Sequence, residues 1–142
     1  VGAYDHHEIL DMLKFLHEAT GQAVSDMVTA FGQQLFGELI AQHPGMLRDG
    51  VGLLDFLEGI ETHIHQEVRK LYRDAELPFF AAERLAANKL VLNYQSSRPF
   101  ADLAHGMILG AAAHFNGQIE LSRKTITIAN GHAESFTVSV VK

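Results

Sequence analysis

A histidine at the border of an apolar helical stripe is the first residue whose position could support metal chemistry. His65 lies next to Ile64 and Val68, in a segment with helical periodicity, and follows Glu61 by four residues. A neutral imidazole there could bind a metal through one ring nitrogen while a neighbouring acceptor orients the other. His63 stands two residues away and points to a different side of the helix, so the pair cannot chelate one ion. On residue types alone, a histidine bonded to a carbonyl or to water is the more common outcome.

A second group of polar residues alternates with the period of a β-strand. Tyr94, Ser96 and Arg98 share one strand face with Leu90 and Leu92. The phenol, hydroxyl and guanidinium span roughly 13 Å at this spacing. Together they could hold a flat ligand with two carboxylates, to which Arg98 would give a bidentate contact. The alternative is a strand whose polar end runs into solvent, and the residues alone favour that alternative.

The overall composition limits the classes of protein and partner. The chain has 142 residues, a formal charge of −6, nine His and no Cys. The length predicts a single domain, and the charge argues against nucleic acid, since Arg69, Lys70 and Arg73 are the nearest approach to a basic cluster. The lack of Cys excludes disulfides and thiolate metal sites and fits a cytoplasmic location. No apolar run is long enough to span a membrane, and the high His count points towards a metal.

The first half of the chain has helical periodicity. The spacing of apolar residues predicts three helices, over Asp5–Ala19, Ser25–Ile40 and Leu53–Tyr72. Ser25 is the expected N-cap of the second helix, which stops before His43-Pro44. The stretch Asp74–Asn88 is predicted as a loop, with a helical turn around Ala81–Ala87.

The period changes in the second half. The pattern predicts a strand over Lys89–Arg98, a helix over Phe100–Phe115, and strands over Gln118–Ile128 and Ser135–Val141. Asn130-Gly131 predicts a hairpin between the last two strands. The order indicates an α+β fold, with N-terminal helices followed by a small antiparallel sheet that has one inserted helix. We expect one domain over residues 1–142, of which 1–87 are mainly helical and 88–142 contain the sheet.

Two separated motifs resemble one protein family. The stretch Ile64–Tyr72, followed by Leu77-Pro78-Phe79, is similar to the proximal-ligand helix and loop of H-NOX (haem-nitric oxide/oxygen binding, HNOB) domains. Residues 94–98 match the family's Y-x-S-x-R motif, and residues 106–115 resemble the small-residue helix that follows it. The motifs occur in the right order, and the similarity extends from about Tyr4 to Val141. The chain is identified as a member of this family, of the bacterial stand-alone type, related to the sensor domain of soluble guanylate cyclase.

The resemblance implies a bound cofactor and roles for five residues. The cofactor is haem b (iron protoporphyrin IX), and His65 is implied to be the proximal ligand of its iron. Tyr94, Ser96 and Arg98 are implied to bind the haem propionates. Pro78 occupies the position of the proline that presses on the porphyrin and distorts it from planarity.

The resemblance also bears on which gas is bound. In oxygen-binding members a distal Tyr falls nine residues after the first Tyr of the motif, where this chain has Leu103, and a distal Asn falls near Leu35. Without a hydrogen-bond donor at either place, bound O₂ would be poorly stabilised, whereas NO and CO need less help. The expected ligand is therefore nitric oxide, with CO as a further ligand and O₂ disfavoured.

A sensor, and not an enzyme, is what the family implies. Strong NO binding weakens the bond between iron and histidine, so His65 would be released, and the helix over Leu53–Tyr72 would be freed. No effector domain follows the last strand in this sequence, so a separate partner is expected. By family analogy this partner is a histidine kinase or a cyclic-di-GMP enzyme.

Two other functions stay open. Family members begin with a helical segment over the distal face of the haem, and this sequence starts after it, so we expect that face to be partly open unless another chain covers it. A haem-free interaction module with the same fold is therefore the main alternative. A hydrolase or transferase using His65 with Glu61 is weaker, because the sequence has neither a nucleophile with an adjacent base nor a phosphate-binding Gly loop. Glu61 itself is interpreted as part of a solvated helix face.

Overall fold

Helices come first along the chain, and a four-stranded antiparallel sheet with one inserted helix follows. The computed structural model describes residues 11–12, 14–15, 18, 23–47, 50–71, 73 and 77–141. The helix predicted over Asp5–Ala19 lies largely outside the described residues, and the described positions within it are helical. The predicted α+β class is confirmed. None of the helices within the described ranges is long and apolar enough to cross a membrane.

Helix α1 spans Val24–Gln42, close to the predicted bounds. The expected N-cap is wrong, because Ala23 holds that position without a side-chain hydrogen bond. Ser25 lies inside the first turn, where its carbonyl accepts a hydrogen bond from the Thr29 hydroxyl at 2.9 Å. The helix ends at Gln42, with His43 as its C-cap, since the residue before a proline is disfavoured in the helical conformation. A short 3₁₀ helix over Pro44–Met46 follows.

The third predicted helix is divided into three parts. Helix α2 spans Leu53–Glu58, a π-helical turn spans Ile60–Ile64, and helix α3 spans His65–Leu71. The amides of His63 and Ile64 both donate to the carbonyl of Gly59, at 2.8 and 3.4 Å, so one residue is accommodated beyond a regular α-helical turn. The wide turn therefore ends directly before His65. Tyr72, the expected last residue, is outside the described residues.

The sheet has four strands in the order β1-β2-β4-β3, every neighbouring pair being antiparallel. The strands are β1 over Phe79–Ala86, β2 over Lys89–Ser96, β3 over Ile119–Ile126 and β4 over His132–Val140. The loop and helical turn predicted within Asp74–Asn88 are wrong over β1, so the sheet begins inside the part expected to be mainly helical. The alternating burial of a strand is missing there, because β1 is an edge strand in which only Phe80 is buried. This strand is defined by its backbone pairing with β2 and has no alternating side-chain pattern.

The hairpin predicted at Asn130-Gly131 is confirmed between β3 and β4. Gly131 has a φ of 102°, a conformation that side chains rarely adopt, and it comes directly before β4. One face of the sheet is fully buried at its centre, where Leu90, Leu92, Phe136 and Val138 are 0% exposed.

Helix α4, over Ala101–His114, is inserted between β2 and β3 and crosses α1 at very short range. A Cβ atom added at Gly106 would overlap the carbonyl oxygen of Thr29, and one added at Gly32 would overlap that of Leu103. The backbones of the two helices are therefore in direct contact, and both glycines are required for this contact.

We expect Gly106→Ala to destabilise the fold by roughly 1–3 kcal/mol, since the added methyl has no space at the crossing. Gly37→Ala is the matched control, because a Cβ at this position in α1 would meet nothing within 4 Å. That control should gain about 0.5–1 kcal/mol from helix propensity. Urea unfolding measures both, and a Gly106→Ala protein as stable as the wild type would contradict the crossing.

Candidate functional site

A cavity of about 390 Å³ lies among the helices and the buried face of the sheet. The two crossing helices supply much of its apolar wall, through Leu35, Phe36, Leu39, Leu103, Ala104 and Met107. Among the described residues that line it, hydrogen-bonding side chains come from His65, Tyr94, Ser96 and Arg98 only. An apolar cavity with a few convergent polar groups is the usual form of a small-molecule or cofactor site.

His65, at the start of α3, is 8% exposed and lines this cavity. Its Nδ1 lies 3.1 Å from Oε1 of Glu61, and the same oxygen accepts a hydrogen bond from the amide of Phe80 at 3.1 Å. Arg69 approaches the other carboxylate oxygen at 3.6 Å. A carboxylate only accepts hydrogen bonds, so Nδ1 carries the hydrogen of the neutral ring and Nε2 carries the lone pair.

The electrostatics of the site keep this imidazole neutral. Burial lowers the pKa of His65 below its ordinary value of 6.5, although the neighbouring Glu61 carboxylate acts in the opposite direction. The Arg69 guanidinium lowers the pKa further. At neutral pH the ring therefore has a free lone pair, which is the state that a metal ligand needs.

Glu61 is less exposed than expected, and the interpretation as a solvated helix face is wrong. Its side chain is 23% exposed and joins His65 to the first residues of β1. Phe80, which was predicted to lie in a loop, packs between His65 and Tyr94, with its ring centroid 5.8 Å from that of His65 and 5.7 Å from that of Tyr94. The signal that could have found it is the aromatic pair Phe79-Phe80 directly after a proline.

The three polar residues of the strand motif reach the same cavity. Tyr94 is 2% exposed, and burial raises the pKa of its phenol, which therefore stays protonated. Its hydroxyl donates to the carbonyl of Arg98 at 2.9 Å and accepts from the amide of Phe100 at 3.2 Å. The hydroxyl of Ser96 accepts from the amide of Arg98 at 3.1 Å. The strand thus ends at Ser96, and Arg98 lies in a turn that these two hydroxyls hold in place.

The structure brings every residue of the predicted site to one cavity. His65, Pro78, Tyr94, Ser96, Arg98 and Leu103 all line it, as does Leu35. Their functional roles stay predictions, because the geometry describes only the cavity and its own hydrogen bonds.

Comparison with known proteins identifies the class of this domain. Residues 1–123 match the sequence model of the Haem-NO-binding (HNOB) family. The chain belongs to this family, the H-NOX family, whose characterised homologues are haem-based gas sensors. Among proteins of curated function, none matches this chain.

Several solved H-NOX structures have the same fold. The H-NOX protein from S. oneidensis in the Fe(II)NO state superposes with a TM-score of 0.89 at 28% identity, over 99% of this chain and 78% of that one. Unliganded Fe(II) H-NOX from K. algicida gives 0.90 at 31% identity, over 100% and 76%. The H-NOX from Shewanella woodyi in the Fe(II)CO state, bound to IWP-051, gives 0.80 at 40% identity, over 98% and 73%.

Because the folded pKa of His65 is lowered, the unfolded chain binds a proton on this ring at a pH where the folded chain does not. We therefore expect the haem-free protein to lose stability as the pH falls below 6.5, towards the lower folded pKa. His65→Gln, which retains a donor for Glu61, should show a smaller loss between pH 7.5 and 5.5. Urea unfolding across this range is the measurement, and equal pH dependence in the two proteins would contradict the assigned burial.

Proposed function

We propose that this chain binds haem b in the cavity with His65 as the iron ligand, and that it senses nitric oxide there. The observation that carries the proposal is a buried, neutral imidazole whose Nδ1 is held by Glu61, in a cavity shared with a phenol, a hydroxyl and a guanidinium. Bound haem would supply an iron centre that takes up a diatomic gas.

The donor set of the cavity fits haem. Nε2 of His65 is the nitrogen left for iron, since Nδ1 donates to Glu61. The walls around it are apolar, as the flat faces of a porphyrin require. Pro78 lines the same cavity and would press on one of those faces. A cofactor held through one neutral nitrogen and apolar contact needs charge compensation only at its carboxylates.

Tyr94, Ser96 and Arg98 would bind those carboxylates. Arg98 supplies a positive charge in a geometry suited to a carboxylate. The Tyr94 hydroxyl would have to transfer its one hydrogen from the carbonyl of Arg98 to a carboxylate, whereas the Ser96 hydroxyl accepts from the amide of Arg98 and does not use its own hydrogen there. Ser96 and the turn at Arg98 are thus held in place before any ligand binds. Such preorganisation lowers the entropic cost of binding.

The gas preference follows from the apolar residues of the cavity. Leu35 on α1 and Leu103 on α4 line it and offer no hydrogen bond. Bound O₂ is polar and needs a donor, so these residues disfavour it, whereas NO and CO depend on one much less. We infer NO as the signal, with CO as a second ligand.

Signal transfer would begin at His65. Its carboxylate partner also holds the amide of Phe80, so a displaced His65 would disturb both α3 and the edge strand β1. The π-helical turn before His65 accommodates one residue beyond a regular α-helical turn, and such turns occur frequently at functional sites. We propose a separate cytoplasmic partner as the receiver, a histidine kinase or a cyclic-di-GMP enzyme, and assign no catalytic role to the pair of His65 and Glu61.

The first test is the absorption spectrum of the haem-reconstituted, reduced protein with and without NO. We expect a Soret band that moves to the five-coordinate nitrosyl position when NO is added. His65→Ala should weaken or alter the band of the unliganded protein, because the ligating nitrogen is lost. His63→Ala is the control, since it removes the neighbouring imidazole and should leave the spectrum unchanged. No stoichiometric haem band in the wild type would favour the haem-free interaction module.

A second test concerns the gas preference. Leu103→Tyr places a hydroxyl donor on the cavity side of α4 and should slow O₂ dissociation by about tenfold, the effect of one hydrogen bond of ~1.4 kcal/mol. Leu103→Phe carries the same ring without the hydroxyl and should not. Stopped-flow release of O₂ measures both, and an equal effect of Tyr and Phe would reject the assignment of Leu103 to the gas side.

A further inference from the structure

Arg123, on β3, is the centre of a charged cluster outside the cavity that the proposed function does not use. Its Nε donates to Oε2 of Glu134 at 2.6 Å, and its Nη2 contacts the same oxygen. Its Nη1 donates to Oδ1 of Asp102 at 2.7 Å and lies 3.1 Å from Nδ1 of His105. The guanidinium also lies over the ring of Phe136, 5.2 Å from its centroid.

Because the cluster is partly buried, its side chains depend on Arg123 for hydrogen bonds and charge pairing. Glu134 is 5% exposed. Among the described residues, Oε2 of its carboxylate is paired with Arg123, whereas Oε1 has no hydrogen-bond partner. Burial acts to lower the pKa of Arg123, but the hydrogen bonds that it donates to Glu134 and Asp102, together with their negative charges, outweigh burial and raise the pKa. Burial also lowers the pKa of His105, so its neutral Nδ1 can accept from the guanidinium. Arg123 is therefore a permanent charge that holds three side chains at once.

The contacts form a closed ring around the proposed carboxylate-binding turn. Glu134 on β4 pairs with Tyr94 on β2 in the sheet. The Tyr94 hydroxyl holds the carbonyl of Arg98 and the amide of Phe100, and Phe100 is the N-cap of α4. Asp102, in the first turn of α4, accepts a hydrogen bond from Arg123, which also donates to Glu134. These two contacts close the ring.

We propose that Arg123 is a positioning residue for the haem propionate site. This inference rests on the proposed function. By tying the first turn of α4 to β4, it fixes both ends of the turn that carries Arg98. It does so without touching the cavity itself, because Arg123 is absent from the residues that line it. Opening the ring should loosen the hold on the haem carboxylates and leave ligation by His65 unchanged.

A second arginine provides a control of matched chemistry. Arg84 on β1 also contacts two carboxylates, those of Asp55 and Glu58 at 3.3 and 3.6 Å, and its side chain is 32% exposed against 28% for Arg123. It ties β1 to α2, and its remaining hydrogen bonds go to the carbonyls of Ala86 and Ala87. Loss of this cluster should lower stability only.

The test uses the haem-loaded full chain with Asp102→Ala, which opens the ring at α4 and leaves the buried pair of Arg123 and Glu134 intact. Removal of Arg123 itself would leave Glu134 buried and unpaired, and such a protein could fail to fold. We expect haem loss to an apomyoglobin acceptor about tenfold faster than from the wild type, or ~1.4 kcal/mol. The propionate bending modes in the resonance Raman spectrum should shift, and the iron–histidine stretch should not. Asp102→Asn, which keeps an acceptor oxygen, should restore most of the wild-type behaviour.

Three outcomes overturn the proposal. Wild-type haem loss and propionate modes in Asp102→Ala would reject it and leave the proposed function intact. An equal increase in haem loss for Arg84→Met, measured where both variants are fully folded, would show that general loosening is the cause. A wild-type chain that takes up no haem would reject the proposed function together with this inference.

Discussion

One carboxylate oxygen of Glu61 contacts both Nδ1 of His65 and the amide of Phe80, and the rest of the site depends on this shared contact. It fixes which nitrogen of the imidazole carries the hydrogen, while burial keeps the ring neutral. It also joins the start of α3 to the edge strand β1, which has few buried side chains of its own. The same carboxylate oxygen therefore orients His65, the proposed ligand, and attaches β1 to α3.

Two further contacts give the cavity its shape. The crossing of α1 and α4 at Gly32 and Gly106 brings the leucines of both helices to one side of the cavity. The hydroxyl of Tyr94 holds the turn at Arg98, so polar donors are confined to that region. This division between an apolar wall and a polar rim is the reason that a flat, largely apolar cofactor with charged edges fits the site better than a soluble polar substrate.

Much of the site was predictable because its residues follow local rules. Tyr94 and Ser96 alternate on one strand face, Arg98 follows in the turn, and His65 lies on an apolar helical stripe, so all four reach the cavity as expected. Glu61 was misjudged, because its acceptor role depends on Phe80, 19 residues away. β1 was missed for a related reason, since an exposed edge strand has no burial pattern that a sequence could reveal. The cluster around Arg123 joins three separate elements and has no local signature at all.

The sequence by itself determined the α+β class, the family and the order of the helices and of the strands after β1, because periodicity and motif spacing are properties of neighbouring residues. It also supplied apolar residues, Leu35 and Leu103, at two positions that line the cavity. Only the tertiary structure decided where the π-helical turn falls, which carboxylate holds His65, and that the strand ends at Ser96. These features depend on contacts between segments distant in the chain, and the free energy of such contacts is set by burial, which a local pattern does not contain.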